Sequence, residues 1–173
     1  MARTIPFKGK NPKIHDNSYI SPFALIIGDV VIEEDVSVWP YAIIRADEEY
    51  VTLGRSSAVL EHVLIESPKG HPVEIGEKVL VSHCAVLHGC KVGSKCLIGI
   101  GAIVLDGACL EEECVIGAGA VLPPFTKVPK RTLMLGVPAK PVRKVLDEEI
   151  RVIMDDLEKI KEKAKEYKKE VGM

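Results

Sequence analysis

An aliphatic residue returns every six positions along most of this 173-residue chain. Ile14, Ile20, Ile26, Ile32, Val38 and Ile44 stand six apart. The register resumes at Leu53, Val59 and Ile65, and again at Ile75, Val81 and Leu87. After one step of five it continues through Val92, Ile98, Val104, Leu110, Ile116 and Leu122. Four positions after most of these stands a small or β-branched residue, such as Ala24, Val30, Ala42, Val63, Ala85 or Ala102. A half-buried strand alternates with period two and a helix repeats at about 3.6, so neither sustains six over this distance. A fixed internal period is the mark of a solenoid, in which each unit buries its apolar face only by stacking on the next.

The pattern resembles the hexapeptide repeat of the left-handed parallel β-helix. In that fold three hexads form a triangular coil of about 18 residues. The aliphatic side chain fills the interior, the small residue packs beside it, and successive coils pair in parallel about 4.8 Å apart. The composition agrees: 14 Gly, 11 Pro and 5% aromatic residues suit short strands and tight turns. An all-β parallel β-helix is therefore expected over residues 1–142. Residues 143–173 read differently. Leu146, Ile150, Ile153, Leu157, Ile160, Ala164, Tyr167 and Val171 are spaced alternately by four and three, one apolar stripe of a helix. Asp147, Glu148 and Glu149 open it and lysines dominate its end, matching the helix dipole. The helix is expected to pack along a β-helix face. The N-terminal segment and the helix are also expected to cap the open ends, whose edges would otherwise be unpaired.

A net charge of −2 argues against a general electrostatic grip on nucleic acid. No apolar run approaches the length of a membrane span, and the first residues lack the apolar core of a secretory signal, so a cytoplasmic protein is expected. Five cysteines with no CxxC pair read as reduced thiols. Cys96 and Cys114 are 18 apart in the small inward position and should stack in the core, whereas Cys84 and Cys90 should lie nearer corners. Trp39 is expected to pack, either within the chain or at a subunit contact.

Residues one coil apart should lie above one another. Three residues are inserted between Ile44 and Leu53, and four between Ile65 and Ile75. With these counted, Arg45, Glu66 and His88, spaced 21 and 22, form one vertical column. Glu61 and His83, also 22 apart, form a second beside it. The repeat itself requires none of these charges. A stacked cluster of titratable groups on a rigid face is a candidate site.

The stretch His83-Cys84-Ala85-Val86-Leu87-His88-Gly89, with Arg45-Ala46-Asp47 upstream and Leu135-Gly136-Val137-Pro138-Ala139-Lys140 downstream, resembles the γ-class carbonic anhydrase family. The resemblance implies a homotrimer whose metal, zinc or in some members iron, lies between subunits on three histidines. It implies reversible hydration of CO2 to bicarbonate. His83 and His88 match two of the family's ligands; the third falls at Glu66. Ala58, Leu60 and Glu61 stand where the family has Asn, Gln and Asp. Arg45 and Asp47 match residues that tie subunits or order the site, and Glu48 falls where active members carry a glutamate that aids proton transfer.

Two readings of Glu66 stand side by side. It can complete a two-histidine, one-glutamate zinc set, a known catalytic combination. It can instead pair with Arg45 or His88 in a metal-free column. Three functions follow: a metal-dependent hydratase, a non-catalytic trimer serving as scaffold or small-anion binder, or an acyltransferase using a histidine base. His62, three after Val59, is expected at a corner, and His71 in the inserted turn Ser67–Pro72.

Overall fold

The computed structural model describes residues 3–170, and it is a parallel β-helix of about seven coils followed by one helix. Each coil contributes three short strands, one to each face. The first face stacks Leu25–Ile32, Ile43–Leu53, Leu64–Glu66, Val86–His88, Ile103–Val104 and Val121–Leu122. The second runs from Lys13–Ile14 through Val30–Ile32, Val51–Leu53, Val73–Ile75, Lys91–Val92 and Cys109–Leu110 to Lys127–Val128. The third runs from Tyr19–Ile20 through Ser37–Val38, Ala58–Val59, Leu80–Val81, Leu97–Ile98 and Val115–Ile116 to Thr132–Gly136.

The period of six fixes what is inside. Ile26, Ile44, Ile65, Leu87, Val104 and Leu122 are all fully buried in one inward column. The small residues between them, such as Ala42, Ala85 and Ala102, are buried beside the corners. Cys96 and Cys114 stack in the core as expected, with the Cys114 amide donating to Cys96 Sγ at 3.3 Å. Cys90 is also fully buried, in the small inward position beside a corner. The five-residue step puts it two before Val92, the slot that Ala108 takes before Leu110, so the deleted residue falls between Leu87 and Cys90.

Glycines do two different things here. The corner residues adopt positive φ largely without glycine: Tyr41, His62 and Cys84 have φ of 63°, 61° and 60°. Gly54, Gly93 and Gly99, one after their aliphatic residue, serve close approach instead. A Cβ at Gly99 would sit 2.6 Å from Ala118 N in the next coil.

The helix Asp147–Glu170 lies along the third face rather than over an end. Ile153, Leu157 and Ala164 pack on Tyr19, Trp39, Ala58, Leu60 and Leu80. Trp39 makes its contacts within the chain, edge-on to Tyr19 and to the helix's Tyr167 at centroid distances of 5.7 and 5.5 Å. The Lys168 ammonium reaches the carbonyls of Asp16 and Ser18 in the first coil. The last coil of this face is covered by Ala139–Lys144, which folds back antiparallel on Thr132–Gly136. At the other end Arg3–Ile5 pairs in parallel with Leu25–Ile27. Val171 lies outside the described residues.

Candidate metal centre

Both insertions are absorbed between the first and second faces. The first is absorbed within a single strand, Ile43–Leu53, which turns the corner without leaving the sheet. Its partner makes room through Gly28, at φ 80°, where a Cβ would fall 2.0 Å from Ala46 O. The second insertion is the turn 67–72. Glu48 and Glu49 hold it from the coil below. Glu48 Oε2 accepts from Lys69 N at 2.7 Å and Glu49 Oε1 from Gly70 N at 2.9 Å. Ser67 is fully buried and donates its hydroxyl to Glu49 O at 2.7 Å.

The column expected from the spacing is present. Arg45 pairs in register with Glu66, and Glu66 with His88. The Arg45 guanidinium is hydrogen-bonded to Glu66 Oε1. The same oxygen lies 3.8 Å from His88 Nε2. His88 Nδ1 is hydrogen-bonded to the carboxylate of Asp106, one coil further on. Four side chains thus run across successive coils as cation, carboxylate, imidazole, carboxylate. Asp47 Oδ1 stands 3.7 Å from Arg45 Nε, too far for a hydrogen bond, and that buried nitrogen has no acceptor.

Glu61 and His83 form a separate pair across the corner marked by His62 and Cys84. His83 Nδ1 is 2.9 Å from Glu61 Oε2, off the line of the ring N–H, so this buried oxygen lacks an aligned donor. The spacing suggested that all five residues would converge on one stretch of surface. The chain instead holds them as two groups on either side of a corner, because Glu61 and His83 precede the turn and Glu66 and His88 follow it. Among the described residues of one chain, no three His, Cys, Asp or Glu side chains are grouped closely enough to hold an ion.

His62 stacks on Tyr41 with ring centroids 5.2 Å apart and planes within 11°. His71 packs edge-on to Phe125. The turn that carries it is not free of the site, since His71 and Pro68 press on Gly89, beside His88. Leu60, where the resemblance calls for a polar residue, is buried under the helix. That accounts for an apolar side chain at this position.

Comparison with known proteins agrees with this architecture. Residues 11–46 and 89–124 match a family model described as bacterial transferase hexapeptide (six repeats). A carbonic anhydrase of Geobacillus kaustophilus is 37% identical over 163 residues, covering 94% of this chain and 90% of that protein. The chain belongs to the γ-carbonic-anhydrase-like family of hexapeptide-repeat proteins. Protein YrdA of Escherichia coli is 38% identical over 151 residues, 83% of this chain and 82% of its own. The crystal structure of a hexapeptide transferase family protein from Anaplasma phagocytophilum superposes with a TM-score of 0.91 at 28% identity, over 95% of this chain and 98% of that one.

Asp106 was not among the residues singled out from the sequence of this family member. It lies 18 residues after His88, but the stacking that identified Glu66 puts Leu105, not Asp106, on His88. The five-residue step between Leu87 and Val92 hides it, for it places Asp106 opposite Gly89 rather than opposite His88.

Proposed function

We propose that the protein binds a divalent metal between subunits of a homotrimer and uses it for reversible hydration of CO2 to bicarbonate. One observation carries this reading. Each histidine has a carboxylate beside Nδ1, hydrogen-bonded for Asp106 and His88 and 2.9 Å away but unaligned for Glu61 and His83, and among the described residues no carboxylate is hydrogen-bonded to either Nε2. Carboxylate-backed histidines are the usual form of a metal ligand, because the second partner fixes the ring and raises its basicity. A bound zinc or iron ion would supply Lewis acidity and lower the pKa of water toward neutrality. With His83 and His88 separated by a corner, a second copy of the chain would bring them together, as the family resemblance implies.

The donor set fits such an ion through its two histidines. Glu66 is the third candidate ligand, but its carboxylate is already held by Arg45. As a ligand it would give up part of that pairing and would lower the charge of the site by one. Arg45 and Asp47 then order the base of the column, Glu61 stands beside His83, and Glu48 braces the neighbouring turn, from which it can exchange a proton with solvent. No helix among the described residues is long and apolar enough to cross a membrane, and a cytosolic trimer fits that observation.

The Arg45–Glu66 contact also favours a second reading, a metal-free trimer that serves as scaffold or anion binder. Metal content separates the two. After zinc loading and dialysis, close to one zinc per chain is expected, together with CO2 hydration that Glu66→His increases. Less than a tenth of an equivalent per chain in both the wild type and Glu66→His would overturn the hydratase.

A further inference from the structure

We infer that Asp106 is the positioning residue of the site: it fixes the proton of His88 on Nδ1 and so aims Nε2 as the ligand. This rests on the metal-binding reading above, but the tautomer it predicts exists without metal.

The geometry is specific. An ionised carboxylate only accepts hydrogen bonds, so an imidazole bonded to Asp106 through Nδ1 carries its proton there and keeps the lone pair on Nε2. Nε2 faces Glu66 Oε1 at 3.8 Å, beyond a hydrogen bond, so no carboxylate competes for it directly. The backbone ladder locks both partners. Gly89 N donates to Glu66 O at 2.9 Å, and Gly107 N to Gly89 O at 2.8 Å, so the residues flanking His88 and Asp106 are tied coil to coil.

Gly89 makes the contact possible. Asp106 stands opposite Gly89, one position beyond His88, and must lean sideways to reach the ring. A Cβ at Gly89 would lie 2.9 Å from Asp106 Oδ1, 2.7 Å from His71 Cβ and 3.3 Å from Pro68 Cδ. Only glycine leaves that gap, and the turn 67–72 closes it from the other side. The second insertion thus serves as a wall that keeps Asp106 on His88. Asp106 is 37% and His88 30% exposed at the side chain, so substitutions here leave the core untouched.

Asp106→Ala and Asp106→Asn test the inference in the full chain. Nitrogen-15 correlation spectra of the metal-free protein, with His88 assigned through His88→Gln, read the tautomer. Zinc competition against a chromophoric chelator reads affinity. Wild type is expected to show Nδ1–H at His88. Asp106→Ala should move the proton toward Nε2 and weaken zinc about 10- to 100-fold. Asp106→Asn, whose amide oxygen still accepts, should fall between. An unchanged tautomer in Asp106→Ala overturns the inference whether or not zinc binds, as does unchanged zinc affinity in a wild type that binds it. A wild type with the Nδ1–H tautomer but no zinc affinity overturns the metal reading alone and leaves the role of Asp106 standing.

Discussion

The coils between Ile44 and Cys90 differ from those after Val92 in one respect, and that respect decides what each does. After Val92 the aliphatic residues keep a step of six to Leu122, with Gly93, Gly99 and Gly117 on the outside. Those coils present little chemistry and bury a dense inward column. Between Ile44 and Cys90 the same inward column continues, but it is interrupted by two insertions and one deletion. All the charged residues of the candidate site except Asp106 lie there. The hexapeptide family model matches 11–46 and 89–124 and leaves out 47–88, the interrupted part. A repeat gives rigidity; the departures from it supply side chains and turns that the repeat has no reason to hold.

If the regular coils serve as scaffold, they should be costly to damage and silent in function. Ile116 is fully buried on the third face, between Ile98 and Met134 of the neighbouring coils. Ile116→Ala is expected to cost about 2–5 kcal/mol, because the stacked coils above and below cannot collapse into the cavity. Denaturant unfolding measures that cost, and zinc affinity of the folded variant should stay at the wild-type level. A variant that is folded and yet loses zinc would break the division.

Gly28→Ala probes the border between the two regions. Its φ of 80° alone imposes about 1–3 kcal/mol of strain on any other residue. The new Cβ would also meet the carbonyl of Ala46, between Arg45 and Asp47. The expected result is a stability loss comparable to that of Ile116→Ala together with a clear weakening of zinc binding, since the strand bearing Arg45 has to shift. Equal zinc affinity in Gly28→Ala would show that the first insertion does not set the column.

Most of the fold was legible because the period of six reports the inward face directly, residue by residue. The column Arg45–Glu66–His88 was legible for the same reason: once the insertions are counted, the register is arithmetic. What the arithmetic could not supply is lateral displacement. Asp106 reaches His88 by leaning across Gly89, and Glu61 and His83 are held apart from the column by a corner; both depend on side-chain direction. That Cys90 points inward was not legible, because a five-residue step does not say where the missing residue falls. The helix was clear as an element. Its course along the third face follows from matching its stripe to Tyr19, Trp39, Leu60 and Leu80, outward residues that the repeat itself leaves unspecified.

The helix joins the two regions, and its first turn tests how tightly they are coupled. Glu149 takes both guanidinium nitrogens of Arg143 at 2.7 and 2.9 Å and accepts from Leu146 N at 2.9 Å, the return half of a capping box. The hydrogen bonds from Arg143, and after them the one from the Leu146 amide, hold the Glu149 carboxyl down at about 2. A depressed carboxyl stabilises the fold above its ordinary value of 4.5, and that contribution is lost as pH falls through about 2. The pair is exposed, so solvent screening keeps its contribution small. Glu149→Ala should therefore lower the melting temperature slightly at pH 6, with the difference from wild type shrinking steadily below pH 4.5. Zinc affinity should not change, because the helix start lies by the regular coils at Leu97 and Val115, away from the interrupted ones. A fall in zinc affinity with this substitution would mean that the helix transmits strain along the third face to Leu60 and its neighbour Glu61, and that the scaffold and the site are one cooperative unit.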